Sequence, residues 1–316
     1  MDYQKHREVF FPLASLAKDR AKRAGLRFAY YTTADVAYQV IKNKRMWMRS
    51  TTTMNDYSEI QYGRDLLLEA IQGDIGEKLN LTINASHANI FEEAWQQVVA
   101  WLPGFNFATY ITCVSEHDSA EDDLGRLSMW RAYGGKTGVA LVFNGDVFDL
   151  QTNALGAYSS PVSYLDQHQF TEALGVLAEN IEKNSEYISR LEREVVKNTL
   201  FTVFRFAVLC TKHPGFAEER EWRIVASPAL HGDGLLESEI SIVRNVPQPI
   251  LKIPLEDSPE HGITGLAIPK LINRVIIGPC EFPHVTSTAI WTALQNSGVA
   301  DPSTLIYVSN IPLRHT

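Results

Sequence analysis

Residues 167–211 constrain the fold most, because their pattern is helical and strand-like segments lie on both sides of them. Apolar residues recur here at three- and four-residue spacing, as on one face of an amphipathic helix. These residues are Leu174, Leu177, Ile181, Ile188, Leu191 and Val195. The apolar run GVALVF precedes the region and EWRIVAS follows it, and both are typical of strands. We therefore expect two long helices that pack as an antiparallel pair against a sheet and take no part in catalysis.

The rest of the chain also alternates between strand-like and helix-like segments. The aromatic run LRFAYY predicts a strand, a helix-like segment follows it, and RMWMRSTT again has the two-residue period of a strand. No internal repeat, low-complexity linker or shift in composition marks a domain boundary. The sequence therefore predicts one α+β domain over residues 1–316, with residues 167–211 as a helical insertion.

Composition excludes several classes of protein. Of the 316 residues 45% are hydrophobic and 21% are charged, which excludes wholesale disorder. The net charge of −8 argues against an overall basic nucleic-acid binder. Three cysteines, odd in number and far apart, indicate a reduced protein without a disulfide framework. No apolar run approaches the roughly 18 residues of a membrane span. We expect a cytoplasmic protein that does not associate with membranes.

The short motifs that identify many enzymes are absent. The sequence contains no GxGxxG after a strand, no phosphate-binding GxxxxGK[ST], no HExxH and no GxSxG. Cys210 and His213 lie three residues apart but lack a second pair of ligands, so a buried cysteine near an incidental histidine is the better interpretation. We expect no metal site.

The segment EEREWRIV concentrates charge at one strand. If EWRIV is a strand, Glu219, Glu221 and Arg223 project from one face, and Trp222 and Ile224 from the other. Two carboxylates and a guanidinium on one face suit a catalytic constellation. They also suit a solvated strand edge with ion pairs of small energetic weight, and spacing alone favours that second interpretation.

Two further segments carry candidate binding residues. In SMWRAYGG, Trp130 and Tyr133 lie three residues apart, so they share a face of a helical turn and could stack on a planar ring. Aromatic residues at this spacing more often close a core. In MNDYSE, Asn55 and Asp56 suit a turn that caps a helix beginning near Glu59, which explains them without any ligand.

Taken in order, these segments resemble a known bacterial family. The order is a first strand with Tyr30-Tyr31-Thr32, then MNDYSE, CVSE, LSMWRAYG with GVALVF, KHPGFAEEREWRIV and INRVIIGP. It resembles the family known as domain of unknown function two-nine-seven-one, which often occurs near phage-defence genes. The resemblance covers roughly residues 27–312. The Asn-Asp-Pro usual in that family reads Asn55-Asp56-Tyr57 here.

The layout of that family is similar to ADP-ribosyltransferases. The similarity implies an α+β fold with a split, mixed β-sheet, flanking helices and a helical insertion, in which the split sheet grips NAD as the substrate. It implies that Tyr30 or Tyr31 is the first-strand residue that holds the nicotinamide ribose. It also implies that Glu221 is the late glutamate on the ribose hydroxyl, with Glu219 beside it. Neither tyrosine is the histidine or arginine usual at the first-strand position.

The chemistry of NAD cleavage explains these residue types. Breaking the nicotinamide–ribose bond builds positive charge on the sugar, which a carboxylate stabilises. A second carboxylate can take the proton of the acceptor. Arg49 or Arg131 has the fork of donors that suits a diphosphate. The candidate NAD-contacting residues are Tyr30, Tyr31, Thr32, Arg49, Ser50, Asn55, Trp130, Arg131, Tyr133 and Arg223, and the candidate catalytic residues are Glu221 and Glu219.

Three functional hypotheses follow. The first is an NAD-consuming toxin or defence effector that transfers ADP-ribose to a protein or nucleic acid, or hydrolyses NAD. The second is a non-catalytic module of a phage-defence system that binds a nucleotide or a partner protein; the acidic, flexible stretch 116–123 and the insertion 167–211 would suit docking. The third is nuclease-like and requires Glu219, Glu221 and Asp56 to converge on a metal.

Overall fold

The computed structural model describes residues 2–53, 57–150, 152–232, 234–243 and 245–312. These residues form two compact units. The helical unit comprises the residues up to Arg20, Ser50–Thr109 and Ser160–Ala217, and the sheet unit comprises Ala21–Arg49, Tyr110–Ser159 and the residues from Glu218 onwards. The organisation as one domain stays a prediction.

Helices and strands alternate along the chain. The helices are α1 (Tyr3–Phe10), α2 (Pro12–Ala24), α3 (Ala34–Asn43), α4 (Tyr57–Gln72), α5 (Asp74–Asn84), α6 (Ile90–Phe107), α7 (Leu127–Met129), α8 (Gln167–Lys183), α9 (Ser185–Ser189), α10 (Arg193–Leu209), α11 (Pro228–His231), α12 (Ile268–Leu271) and α13 (Pro283–Asn296). The strands are β1 (Arg27–Thr33), β2 (Arg45–Ser50), β3 (Tyr110–His117), β4 (Thr137–Phe143), β5 (Ala157–Pro161), β6 (Ser163–Tyr164), β7 (Thr211–Lys212), β8 (Glu221–Ala226), β9 (Glu237–Val243), β10 (Val246–Pro254), β11 (Ile272–Cys280) and β12 (Ile306–Val308). Among these described helices, none is long and apolar enough to cross a membrane.

The predicted insertion forms three helices inside the helical unit. Helix α8 ends at Lys183, the single-turn α9 follows Asn184, and α10 begins at Arg193. Helix α8 packs mainly on α5, whereas α10 packs on α6 and α4. In that second contact, the rings of Phe91 and Trp95 meet the ring of Phe204 edge to face. The predicted antiparallel pair is therefore wrong, because α8 packs mainly on α5 and α10 mainly on α6, with α4 touching both.

The sheet unit is built on an open, mixed sheet with the strand order β12-β11-β4-β1-β3-β2-β10-β9. Strand β12 runs parallel to β11, whereas β1 runs antiparallel to β3 and β4. Strand β8 pairs with β3 and β5. Helices α3 and α13 pack on this sheet and on each other. The α+β class with a mixed sheet and flanking helices is confirmed.

Strand β3 has three strand partners, β1, β2 and β8. It pairs with β8 over Tyr110–Ser115 and with β1 only over Ser115–His117. A strand has two edges, so two of the three partners share one edge and the sheet divides at β3. The pairing of β1 with β3 ends at Ala29, although its pairing with β4 continues to Thr33. The second half of β1 therefore borders the division.

The two faces of this sheet carry different cores. Phe28, Val114 and Trp222 belong to the large apolar core on one face. On the other face, Ala29 lies opposite Ser115, and Ser115 lies opposite Glu221. Directly opposite residues of an antiparallel pair project to the same side. We call this second side, which carries Ala29, Tyr31, Ser115, Glu221 and Arg223, the Glu221 face.

Candidate functional site

Glu221 and Arg223 form a buried ion pair at the start of β8. The Nε of Arg223 donates to Oε1 of Glu221 across 2.7 Å. The glutamate is 6% exposed, and the arginine side chain has no exposed surface. The solvated strand edge that spacing favoured is wrong, because β8 lies between β3 and β5 and is an interior strand. An ion pair at this depth persists only when its partners satisfy one another, since removal from water costs each ion several kcal/mol.

Glu219 does not lie on the strand. It ends the 3₁₀ turn Pro214–Glu219, and Arg220 follows with a left-handed φ of 45°. That backbone turn breaks the two-residue alternation, so the prediction that Glu219 projects beside Glu221 from one strand is wrong. The phenol of Tyr133 donates to Oε1 of Glu219 across 3.2 Å. Tyr133 is 42% exposed, so this pair lies at the surface of the sheet unit.

Tyr30 and Tyr31 project to opposite faces of β1. Tyr31 lies on the Glu221 face, and Tyr30 packs against the large core on the other side. Burial raises the pKa of Tyr31 to about 12, so its hydroxyl stays protonated at neutral pH. Burial also raises the pKa of Tyr30. Strand β3 lies between β1 and β8, so Glu221 and Ala29 stand two strand spacings apart, about 10 Å. Strands β1 and β8, which carry the predicted ribose-binding residues, are therefore separated by the single strand β3 within one sheet.

Trp130 closes the small core on the Glu221 face. It lies in a π-helical turn, Trp130–Gly134, and its ring contacts that of Tyr31 edge to face at 4.8 Å. Its indole Nε1 donates to the carbonyl of Leu124. A Cβ added at Gly138 or Gly278 would stand 3.0 Å or 2.8 Å from the indole, so β4 and β11 approach the ring closely. The structure thus places Trp130 in a core, the interpretation that spacing favoured, and leaves Tyr133 as the exposed aromatic of this turn.

The remaining candidate residues lie on the turn Trp130–Gly134, on β1 and β2, or outside the described residues. Arg131 is exposed on the same turn as Trp130. Arg49 is half-buried at the end of β2, with two long contacts of 3.4 Å to the amide oxygen of Gln248. The hydroxyl of Ser50 pairs with that of Thr52 in the helical unit. Thr32 is half-buried on β1, on the side of Tyr30. Asn55 and Asp56 lie outside the described residues.

Arg126 connects the parts of this site, and sequence reasoning missed it. Its Nη1 donates to the hydroxyl of Ser115 across 3.0 Å and to the carbonyl of Glu218 across 2.6 Å. Its Nη2 donates to the carbonyl of Glu116, and its backbone N–H donates to the hydroxyl of Tyr31 across 3.0 Å. One residue thus joins β1, β3 and the turn before β8. The only signal in the sequence is a single cation three residues after the acidic stretch 116–123.

Arginines hold the acidic stretch 116–123 in place, so the expectation that it is flexible is wrong, whereas its role in docking stays a prediction. Arg126 and Arg220 both pair with Glu121, and Arg220 also pairs with Asp118. Asp122 forms ion pairs with Arg27 and Arg274, with N–O distances of 2.8 Å and 3.5 Å. Burial raises the pKa values of Asp118 and Asp122, but hydrogen bonds from Arg220 to Asp118, and from His117 and Arg27 to Asp122, hold both below their usual range. Cations from distant parts of the sequence therefore fix this segment.

The described residues include no group of three or more histidine, cysteine, aspartate or glutamate side chains that could hold a metal ion. What the cluster offers is a carboxylate fixed by a guanidinium, two tyrosines and a second carboxylate at the surface. Such a set can oppose a developing positive charge and accept a proton.

Comparison with known proteins identifies a family without an assigned activity. Residues 129–224 match the model of the family described as Protein of unknown function (DUF2971). The matched segment runs from the Trp130 turn to β8 and contains Tyr133, Glu219, Glu221 and Arg223. No curated protein and no solved structure matches the chain. The resemblance to this family is confirmed.

Proposed function

We propose that this chain, whose residues 129–224 match the DUF2971 family, is an NAD-consuming enzyme of the ADP-ribosyltransferase kind. It would transfer ADP-ribose to a protein or nucleic acid, or hydrolyse NAD, as a bacterial defence or toxin effector in the cytoplasm. The observation that carries the proposal is the Glu221 carboxylate, fixed by Arg223 on the sheet face that also carries Tyr31 and Trp130. The division of the sheet at β3 supports it, since the implied fold grips NAD with a split sheet.

The chemistry assigns each residue a role. Cleavage of the nicotinamide–ribose bond develops positive charge on the ribose, and the charge of Glu221 opposes it. Arg223 orients that carboxylate and, being without exposed surface, acts through it.

Tyr31 is the first-strand residue on the same face, and the exposed ring of Tyr133 is the one available to stack on nicotinamide. Glu219 accepts the proton of the acceptor group, and Arg49 or Arg131 binds the diphosphate.

The first test measures nicotinamide release by wild type and Glu221→Gln. Glutamine keeps the shape of the side chain but removes its charge, so we expect release to fall by about 10²–10³. NAD affinity, measured by the rise in melting temperature, should change much less because the sugar cation exists only at the transition state.

Glu116→Gln is the matched control. Glu116 is 8% exposed, close to the 6% of Glu221, and it accepts the indole N–H of Trp222 on the opposite face of the sheet. This variant also loses a buried carboxylate charge, yet it should release nicotinamide like wild type. An equal loss in both variants would show that Glu221 acts through stability. Wild type that releases no nicotinamide with any acceptor supplied would refute the enzyme.

One observation favours the alternative, a non-catalytic module that binds a nucleotide or a partner protein. Glu221 and Arg223 already satisfy one another and expose almost no surface, as a purely structural pair would. Expression in a bacterial host separates the two proposals. An NAD consumer should arrest growth, and Glu221→Gln should relieve the arrest, whereas a binding module should be harmless in both forms.

A further inference from the structure

Strand β9 forms one end of the sheet. It pairs with β10 in an unbroken register from Val243 opposite Val246 to Glu237 opposite Lys252. Among the described strands, none lies along its other edge. That edge presents a row of backbone N–H and C=O groups that can pair with another strand.

The hairpin of β9 and β10 also exposes an apolar face. Ile240 lies opposite Pro249, and Ile242 lies opposite Pro247, so the four side chains project to one side. Ile240 is 68% and Ile242 is 70% exposed, and both prolines are exposed. An open strand edge is therefore continuous with an unburied apolar surface.

Strand β9 lacks the devices that usually keep strand edges apart. Its sequence, ESEISIV, contains neither lysine nor proline. Its pairing with β10 is not interrupted by a β-bulge. Its two charges are already paired within the sheet unit: Glu237 with Arg45 at 2.7 Å, and Glu239 with Lys252. Two copies of this strand therefore meet little like-charge repulsion.

We propose that β9 is a dimerisation edge, along which two copies of this chain pair antiparallel about a two-fold axis at Ser241. The pattern of the strand is self-complementary about that residue, as a symmetric interface requires. The axis sets Ile240 opposite Ile242 of the second copy, twice, and Glu239 opposite Val243. No glutamate meets a glutamate, and the four isoleucines bury one another beside the prolines.

The interface is small, so the dimer is weak. The pairing covers residues 239–243, about 17 Å of strand at roughly 3.4 Å per residue. Contacts of this size fall below the area of stable complexes, and we expect a dissociation constant on the order of 10 μM. Dimerisation along β9 does not depend on the proposed NAD chemistry.

Sedimentation equilibrium between about 1 and 200 μM tests the proposal. The average mass of wild type should rise from 35.5 kDa toward twice that value. Ile240→Lys should stay monomeric, because it sets two cations beside the axis. Val285→Lys is the control, since Val285 is 67% exposed on α13 of the same unit and the variant should dimerise like wild type. A monomeric wild type, or a dimer that Ile240→Lys leaves intact, overturns the proposal.

A cysteine at the axis tests the register. Paired residues across an antiparallel ladder have Cα atoms about 4.5 or 5.5 Å apart, inside the range that a disulfide spans. Ser241→Cys should therefore cross-link two chains under mild oxidation. Ser287→Cys on α13, a position of similar exposure, should not. Equal cross-linking of the two variants would overturn the pairing at Ser241.

Discussion

The Glu221–Arg223 pair and the acidic stretch 116–123 both set carboxylates against guanidinium groups, but at different depths. The pair on β8 has almost no exposed surface. In the acidic stretch, Asp118, Glu121 and Asp122 share four arginines, and the side chains there are 10–43% exposed. Burial, more than the number of contacts, decides what the loss of one partner costs. In the stretch, water and a remaining cation can replace a lost arginine, whereas the carboxylate left behind in the pair is largely shielded from water.

The largest effect we expect comes from Arg223→Met. It leaves the buried Glu221 without its guanidinium, so unfolding free energy should fall by about 3–5 kcal/mol. Arg220→Met removes a partly exposed partner of Asp118 and Glu121 and should cost less than about 1 kcal/mol. Urea unfolding of both variants measures the difference. Equal losses of unfolding free energy in the two variants would show that burial does not decide what the loss of an arginine costs in these two regions.

A pH titration sharpens the comparison at the edge of the acidic stretch. His117 is buried at the end of β3, and its Nε2 lies 3.0 Å from Asp122. Burial lowers the pKa of His117, against the hydrogen bond that its ring donates to Asp122 and the charge of Glu121, which raise it. The folded state therefore binds the proton less readily than the unfolded state does. Stability is full above about pH 6.5 and is lost as the pH falls below it.

The melting temperature of wild type should therefore fall more than that of His117→Gln between pH 7 and pH 5. Burial also lowers the pKa of His6, which contributes in the same direction in both proteins and cancels in the comparison. Identical pH profiles for the two proteins would show that protonation of His117 does not lower the stability of the folded state.

The smallest effect belongs to the surface contact between Tyr133 and Glu219. Tyr133→Phe removes one hydrogen bond of 3.2 Å at a residue that is 42% exposed, so we expect the free energy of unfolding to fall by under about 1 kcal/mol. The phenyl ring that would stack on nicotinamide remains, so NAD-dependent stabilisation should persist. If Tyr133→Phe lowered the free energy of unfolding as much as Arg223→Met, the Tyr133–Glu219 contact would stabilise the protein as strongly as the buried Glu221–Arg223 pair.

The sequence predicted the sides of β8 but not its depth. Alternation correctly set Glu221 and Arg223 against Trp222 and Ile224, because the period of a strand is local. Burial depends on which strands lie alongside, and no pattern in EWRIV specifies β3 and β5. Glu219 was misplaced because Arg220 adopts a left-handed backbone that arginine rarely takes, so the strand begins later than the alternation suggested.

The acidic stretch shows the same limit. Eight residues with five acidic side chains predict a solvated segment when they are considered alone. The arginines that hold them come from β1, β11, the turn before β8 and the segment after the stretch, which meet only in the folded sheet unit. Arg126 was missed for this reason, since its partners become visible only when β1 and β3 are paired.

The socket of Trp130 restricts which sequences this fold can accept. Strands β4 and β11 reach the indole through Gly138 and Gly278, where a single methyl group would overlap the ring. Substitutions at these three positions are therefore not independent. Alanine at either glycine would press on the indole and also on backbone atoms 3.0 Å away, so a smaller side chain at position 130 should relieve only part of the strain. During evolution, the effect of a substitution at any one of the three positions on stability should therefore depend on the residues at the other two, although the two glycines lie 140 positions apart in the sequence.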